Sequence, residues 1–225
     1  MTRLVLVNPN TSRASTEAMI TIGRGCAQNG LSIRGVTAPF GAALITDEEA
    51  LEQAALAVVS LAPRLRRTVC DGVIVSAFGD PGLQRLREAL DVPVTGIAEA
   101  GMGAAAEKSR RFAVVTTTPG LTGVIARAAA RYGYAAQFAG TFLTEGDPVA
   151  LMAKPDTLVS ALEATCRTAI REGGAETIVI GGGPLAPAAR ALAATLGVAL
   201  IEPVPAAIHL AQQRAVHANQ SESIS

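Results

Sequence analysis

The chain has 225 residues, 49% of them hydrophobic, and its 19 Lys and Arg are matched by 19 Asp and Glu. That length buries one large core or two small ones. With a formal net charge of zero, there is no cationic surplus to neutralise a phosphate backbone, which argues against a nucleic-acid partner.

From the N-terminus, Leu4–Val7 reads as a buried strand. It is shorter than the roughly 7–15 apolar residues of a signal-peptide core, and no stretch approaches the roughly 18–20 of a membrane span. A soluble, cytoplasmic protein with no membrane partner is expected. Helical spacing over Ser15–Asn29 leads to a weaker strand at Ser32–Val36, then a helix over Glu48–Leu65. Gly72–Ser76 and Val94–Ile97 read as strands flanking a helix over Leu83–Leu90. Next come a strand at Arg111–Thr116, a helix over Leu121–Tyr132 and a strand near Ala136–Phe142. A helix over Pro155–Glu172, strand Thr177–Ile180, helix Ala186–Leu196 and strand Ala199–Ile201 precede a final helix. After Arg214 the tail loses its apolar periodicity and is expected to fray. Short unbroken apolar runs suit parallel strands covered on both faces, and their alternation with helices predicts a doubly wound α/β fold.

The chain repeats itself. RLVLVNPNT from Arg3 is echoed by RFAVVTTTP from Arg111, the segment from Asp71 by that from Glu176, and VPVTGI from Val92 by VALIEP from Val198. The three steps are nearly equal and keep the same order. Two similar halves are therefore expected, 1–98 plus 204–225 and 99–203, with the final helix returning to the first.

Ligands of open α/β sheets bind beyond the carboxyl ends of the strands. Those ends carry Asn8-Pro9-Asn10-Thr11-Ser12, Ser76 to Gly82, Thr116-Thr117-Thr118-Pro119-Gly120 and Gly181-Gly182-Gly183-Pro184. Asp80 before Pro81 and Thr118 before Pro119 read as N-caps with proline in the first turn. Small residues and unpaired helix N–H groups there would hold a small, oxygen-rich anion or amide without lysine or arginine. The ligand-facing set expected is Asn8, Asn10, Thr11, Ala77, Phe78, Gly79, Thr116, Thr117, Thr118, Gly182, Gly183 and Pro184. Lysine occurs only at Lys108 and Lys154, which reads as genome composition.

NPNTS, AFGDPGL, PVTGIAEA and VVTTT together resemble the hydantoin racemase branch of the aspartate/glutamate racemase superfamily, over roughly Arg3 to Leu210. The resemblance implies two pseudo-symmetric, flavodoxin-like α/β halves with a cleft between them, and commonly a homo-oligomer. It implies cofactor-independent chemistry, so neither cofactor nor metal is expected. In the family, two thiols exchange the α-proton from opposite faces of a substrate. Here the family's first cysteine falls at Ala77 and its second at Gly182. Cys26 and Cys166 lie in helical stretches, and Cys70 precedes its strand at the end away from the cleft; all three are expected to be reduced, buried thiols. His209 and His217 fall on the last helix or tail.

Three readings follow. In the first, an enzyme works on a small carboxylate, amino-acid derivative or cyclic amide with other acid/base groups, for which Ser76, Asp80, Glu99 and Glu202 are the catalytic candidates. A paralogue would bind such a ligand without turning it over. Finally, Gly181 to Ala186 fits G-x-G-x-x-A with Glu202 downstream, a weak dinucleotide signature because it follows a late strand.

Overall fold

The computed structural model describes residues 1–26, 30–182, 185–193 and 195–222. The first half runs β1 (Thr2–Asn8), α1 (Arg13–Cys26), β2 (Leu31–Thr37), α2 (Glu48–Ser60), α3 (Ala62–Arg66), β3 (Gly72–Val75), α4 (Leu83–Ala89) and β4 (Val94–Gly96). Helix α5 (Ile97–Ala106) leads to β5 (Phe112–Thr116), α6 (Thr122–Arg131), β6 (Phe138–Leu143), α7 (Pro148–Met152), α8 (Pro155–Gly173), β7 (Thr177–Ile180), α9 (Ala186–Leu192) and β8 (Ala199–Ile201). Helix α10 (Pro203–Glu222) closes the described chain.

All pairings are parallel, in two four-stranded sheets ordered β2-β1-β3-β4 and β6-β5-β7-β8. The second sheet therefore repeats the first, as the internal sequence match predicts. Each central strand feeds two cores by strict alternation. In β1 and β3, Val5, Val7, Val73 and Val75 pack under α2–α4, whereas Leu4, Leu6 and Ile74 face the opposite layer with Ile208 and Ala211 of α10. In β5 and β7, Ala113, Val115, Ile178 and Ile180 meet α8 and α9, while Phe112, Val114 and Val179 meet α5 and α6.

Helix α5 joins the halves. Its Ile97 and Ala100 belong to the α10 layer of the first sheet, and Ala98, Met102 and Ala105 to the second sheet's core. Gly101 allows this close approach: a Cβ there would meet Pro203 and Val179 at 3.3 Å. Burial on nearly every side leaves α5 little polar contrast, which is why helical spacing does not reveal it.

Other boundaries differ from the sequence reading for identifiable reasons. The helix expected over Glu48–Leu65 breaks at Leu61, where Pro63 removes a donor and begins a second helix. The tail expected to fray after Arg214 instead continues helical to Glu222. Its buried residues Val204, Ala207, Ile208, Ala211 and Ala215 keep a helical stripe as far as Ala215. Short α7 is marked by Asp147, whose Oδ1 accepts from Ala150 N at 2.8 Å with Pro148 in the first turn. Among the described residues no helix is long and apolar enough to cross a membrane.

Candidate functional site

In a 2-1-3-4 sheet the strand order reverses between the first and third strands, and a crevice opens beyond their carboxyl ends. Here the two such crevices meet in one cavity. The first half supplies Asn10 after β1 and Ser76, Ala77 and Phe78 after β3; the second supplies Thr116, Thr117 and Thr118 at the end of β5 and Gly181 and Gly182 after β7. Ala77 and Gly182, the positions paired by the internal repeat, thus share one pocket. Leu44 and Ile45 from the β2–α2 loop, Leu121, Met152 of α7 and Leu185 complete an apolar wall. The cavity encloses about 50 Å³ of room for water-sized molecules, space for a small ligand only.

Asn8 and Asn10 form a fixed turn. Asn8 Nδ2 donates to Asn10 Oδ1 at 2.7 Å, to Ser12 O at 3.0 Å and to Thr16 Oγ1 at 3.0 Å, and Asn8 Oδ1 accepts from Asn10 N at 3.2 Å. Asn10 Oδ1 also accepts from Ser12 N. The Asn10 oxygen is thereby occupied, leaving its amide Nδ2 as the group available to the cavity. On the facing tip, Thr116 Oγ1 donates to Gly181 O at 2.8 Å, so Thr118 Oγ1 must be the donor in their 3.1 Å contact. Ser76 Oγ donates to Val7 O at 2.8 Å. Thr117 Oγ1 makes no hydrogen bond among the described residues, and neither do the backbone N–H groups of Ala77, Phe78, Thr117 and Thr118. The cavity therefore offers donors from both tips and, among the described residues, no ionisable side chain.

The sequence-derived residues separate into groups. Asn10, Ala77, Phe78, Thr116, Thr117, Thr118 and Gly182 line the cavity together with Ser76. Asn8 stands behind Asn10, and Thr11 N donates to Ala42 O, holding the β2–α2 loop. Gly79 lies where α2 and α6 meet; its φ of 110° and the nearness of Leu51 and Val124 leave little tolerance for a side chain. Gly183 and Pro184 lie outside the described residues. The wall residues Leu44, Ile45, Met152 and Leu185 escape a reading focused on polar strand ends, although the Asp147-Pro148 cap announces the helix that carries Met152.

The three carboxylates expected near the strand ends lie outside this cavity. Asp80 does not cap α4, whose N-cap is Gly82. It adopts φ 53° and turns its carboxylate onto the start of α5, accepting from Ala98 N at 2.9 Å and Glu99 N at 2.8 Å, with Tyr132 OH donating at 2.6 Å. Thr118 holds the N-cap position before Pro119, but its hydroxyl bonds Thr116 and makes no cap. Burial raises the Asp80 carboxyl to about 6, against the opposing pull of these three donors. It sits so close to Gly96 that a Cβ there would overlap the carboxylate. Gly96→Ala is expected to cost about 2–4 kcal/mol, measured by denaturant unfolding. Glu99 receives Arg87 at 2.7 Å and Arg214 at 2.8 and 2.9 Å. Burial alone would raise its pKa, yet the two guanidiniums hold it below the ordinary value. Glu202 faces Arg190 at 3.5 Å.

Among the described residues no cysteine lines the cavity. Cys166 is buried in α8, and burial with nearby Glu163 pushes its thiol up to about 12. Cys26 and Cys70, expected to be buried, are only half-buried, and burial raises Cys70. A raised pKa keeps a thiol protonated and poorly nucleophilic near neutral pH.

Twin four-stranded parallel sheets meeting at their switch points belong to a recognisable class: residues 4–211 match the Asp/Glu/hydantoin racemase family, and the chain is a member of it. It is 29% identical over 214 residues to the hydantoin racemase of Paenarthrobacter aurescens, covering 93% of this chain and 89% of that one. Among solved structures it is similar to an allantoin racemase from Klebsiella pneumoniae, with TM-score 0.91 and 31% identity over 96% of this chain and 89% of the other. The allantoin racemase of Pseudomonas fluorescens superposes with TM-score 0.88 at 29% identity, covering 94% and 89%.

Proposed function

We propose that this racemase-family chain is a cofactor-independent enzyme that stabilises the enolate or oxyanion of a small carboxylate, amino-acid derivative or cyclic amide, without using thiols. One observation carries the reading: both tips converge on a single donor-rich cavity lined by Ala77 and Gly182, the positions that the sequence resemblance equates with the family's two cysteines. A carbonyl or carboxylate oxygen seated among the N–H groups of Ala77, Phe78, Thr117 and Thr118 gains most as negative charge develops on it. Preorganised donors of this type are worth roughly 10²–10³-fold in rate each. Lowering the acidity barrier of the adjacent C–H lets hydroxide in the cavity take the proton as water; water then returns a proton to carbon and regenerates hydroxide.

The test is solvent-deuterium incorporation at the α-carbon of 5-substituted hydantoins and α-substituted carboxylic acids. Incorporation should exceed the buffer rate, survive iodoacetamide and fall about tenfold or more in Thr117→Val. Loss of activity on alkylation would place a cysteine in the mechanism and overturn the proposal. That no ionisable side chain lines the cavity among the described residues also favours a second reading, a ligand-binding paralogue. Saturable binding of these compounds with exchange at the buffer rate would select it.

A further inference from the structure

Behind the turn that carries Ala77 and Phe78 lies a second cleft, larger than the first, with about 550 Å³ of open space. That falls within the roughly 300–1,000 Å³ usual for small-molecule sites. Its walls come from both halves: α2 and α4 on one side, the end of α6 on the other, with Asp80 at the base.

The charges in this cleft are unevenly satisfied. Glu99 is met by both Arg87 and Arg214, and Arg87 Nε additionally donates to Val94 O. Asp80 is met by two backbone N–H groups and the Tyr132 hydroxyl. Both carboxylates are thus fully engaged. Two exposed arginines have no carboxylate partner: among the described residues Arg85 makes no hydrogen bond or ion pair, and Arg131 engages only Tyr132, stacking 5.1 Å from its ring centre and interacting with its hydroxyl. Arg85 belongs to the first half and Arg131 to the second. Ala55, Leu83 and the Tyr132 ring give the cleft an apolar share of its lining, beside Gln84, Arg87 and the two engaged carboxylates.

We propose that this cleft is a second binding site, distinct from the cavity between the tips, for a small organic carboxylate. Its carboxylate is held by Arg85 and Arg131, whose planar forks match a carboxylate edge, and its hydrocarbon part lies on Leu83 and Tyr132. Such a ligand bridges the two halves at the back of the turn that ends in the first cavity.

Calorimetric titration with benzoate and, separately, inorganic phosphate tests this, with sodium chloride at matched ionic strength as reference. Benzoate should bind saturably, weaken at least about tenfold in Arg85→Gln and Arg131→Gln, and be unchanged in Thr117→Val, which alters only the first cavity. Both arginines are exposed, and circular dichroism verifies that the variants fold. Charge reversal in R85E/R131E should abolish binding. Affinity insensitive to both arginine variants, loss in Thr117→Val, or heat reproduced by chloride would overturn the site. Arginine-dependent binding of phosphate without benzoate would overturn the ligand class.

Discussion

Replacing Asp80 with alanine is expected to destabilise the protein by about 3 kcal/mol, through loss of a helix cap and exposure of unmet donors. The carboxylate is the partner of Ala98 N and Glu99 N at the start of α5, and Tyr132 OH is directed at it from the second half. Ala98 is fully buried, so its N–H has no water to fall back on. In a domain of this size the loss corresponds to a fall in Tm of about 6–12 °C. Asp80→Asn keeps the shape but turns one acceptor into a donor facing another donor, so a smaller loss of about 1–2 kcal/mol is expected. The two variants also differ from the parent in pH response. The folded-state pKa is raised from 3.8 to about 6, so between those values the folded protein holds more protons than the unfolded chain. The contribution of this carboxyl is therefore complete below pH 4 and declines as pH rises through 6. Subtracting the stability–pH curve of Asp80→Asn from that of the parent should isolate this decline. A difference that rises over the same interval would mean that the three donors outweigh burial.

Ala77→Cys is expected to raise α-proton exchange by about 10²–10⁴-fold over the parent, the usual contribution of a placed acid/base group. Ala77 already carries a Cβ and lines the cavity, so a thiol there adds one atom beside the unpaired N–H groups of the first tip. The mirror change, Gly182→Cys, is expected to perform far worse. Gly182 has φ 154°, and a Cβ would approach Leu185 at 3.3 Å, so the second tip must rearrange before it accepts a side chain. Exchange rates in heavy water for the two single variants, each checked for folding, give the comparison. A gain at position 182 with none at 77 would mean that the reactive face of the cavity is the second tip.

How much of this was legible beforehand depended on which interactions are local. Leu4–Val7 and Thr177–Ile180 announce themselves because a strand covered on both faces needs an unbroken apolar run. The cavity's polar lining follows from topology, since strand ends are fixed once the strands are. Asp80 reads as a cap for α4 because Asp-Pro is a local signal, whereas its actual partners, Ala98, Glu99 and Tyr132, are distant in the chain. The same signal at Asp147-Pro148 works as the local rule says. Glu99 and Glu202 sit next to strand ends in sequence, but Glu99, in the first turn of α5, meets Arg87 and Arg214, and Glu202, just before α10, meets Arg190, all away from the cavity. Apolar wall residues such as Met152 carry no signal separating a cavity lining from an ordinary core.

The path of the chain has a consequence for synthesis. Helix α10 covers the layer formed by Leu4, Leu6 and Ile74, yet it follows the entire second sheet in the chain. On a ribosome adding about 5–20 residues per second, the roughly one hundred residues between β4 and α10 leave the part of that surface not covered by α1 open for about 5–20 s. The later sheet can assemble while the earlier one still waits for its cover. Nascent chains paused in this window present that apolar flank to solvent.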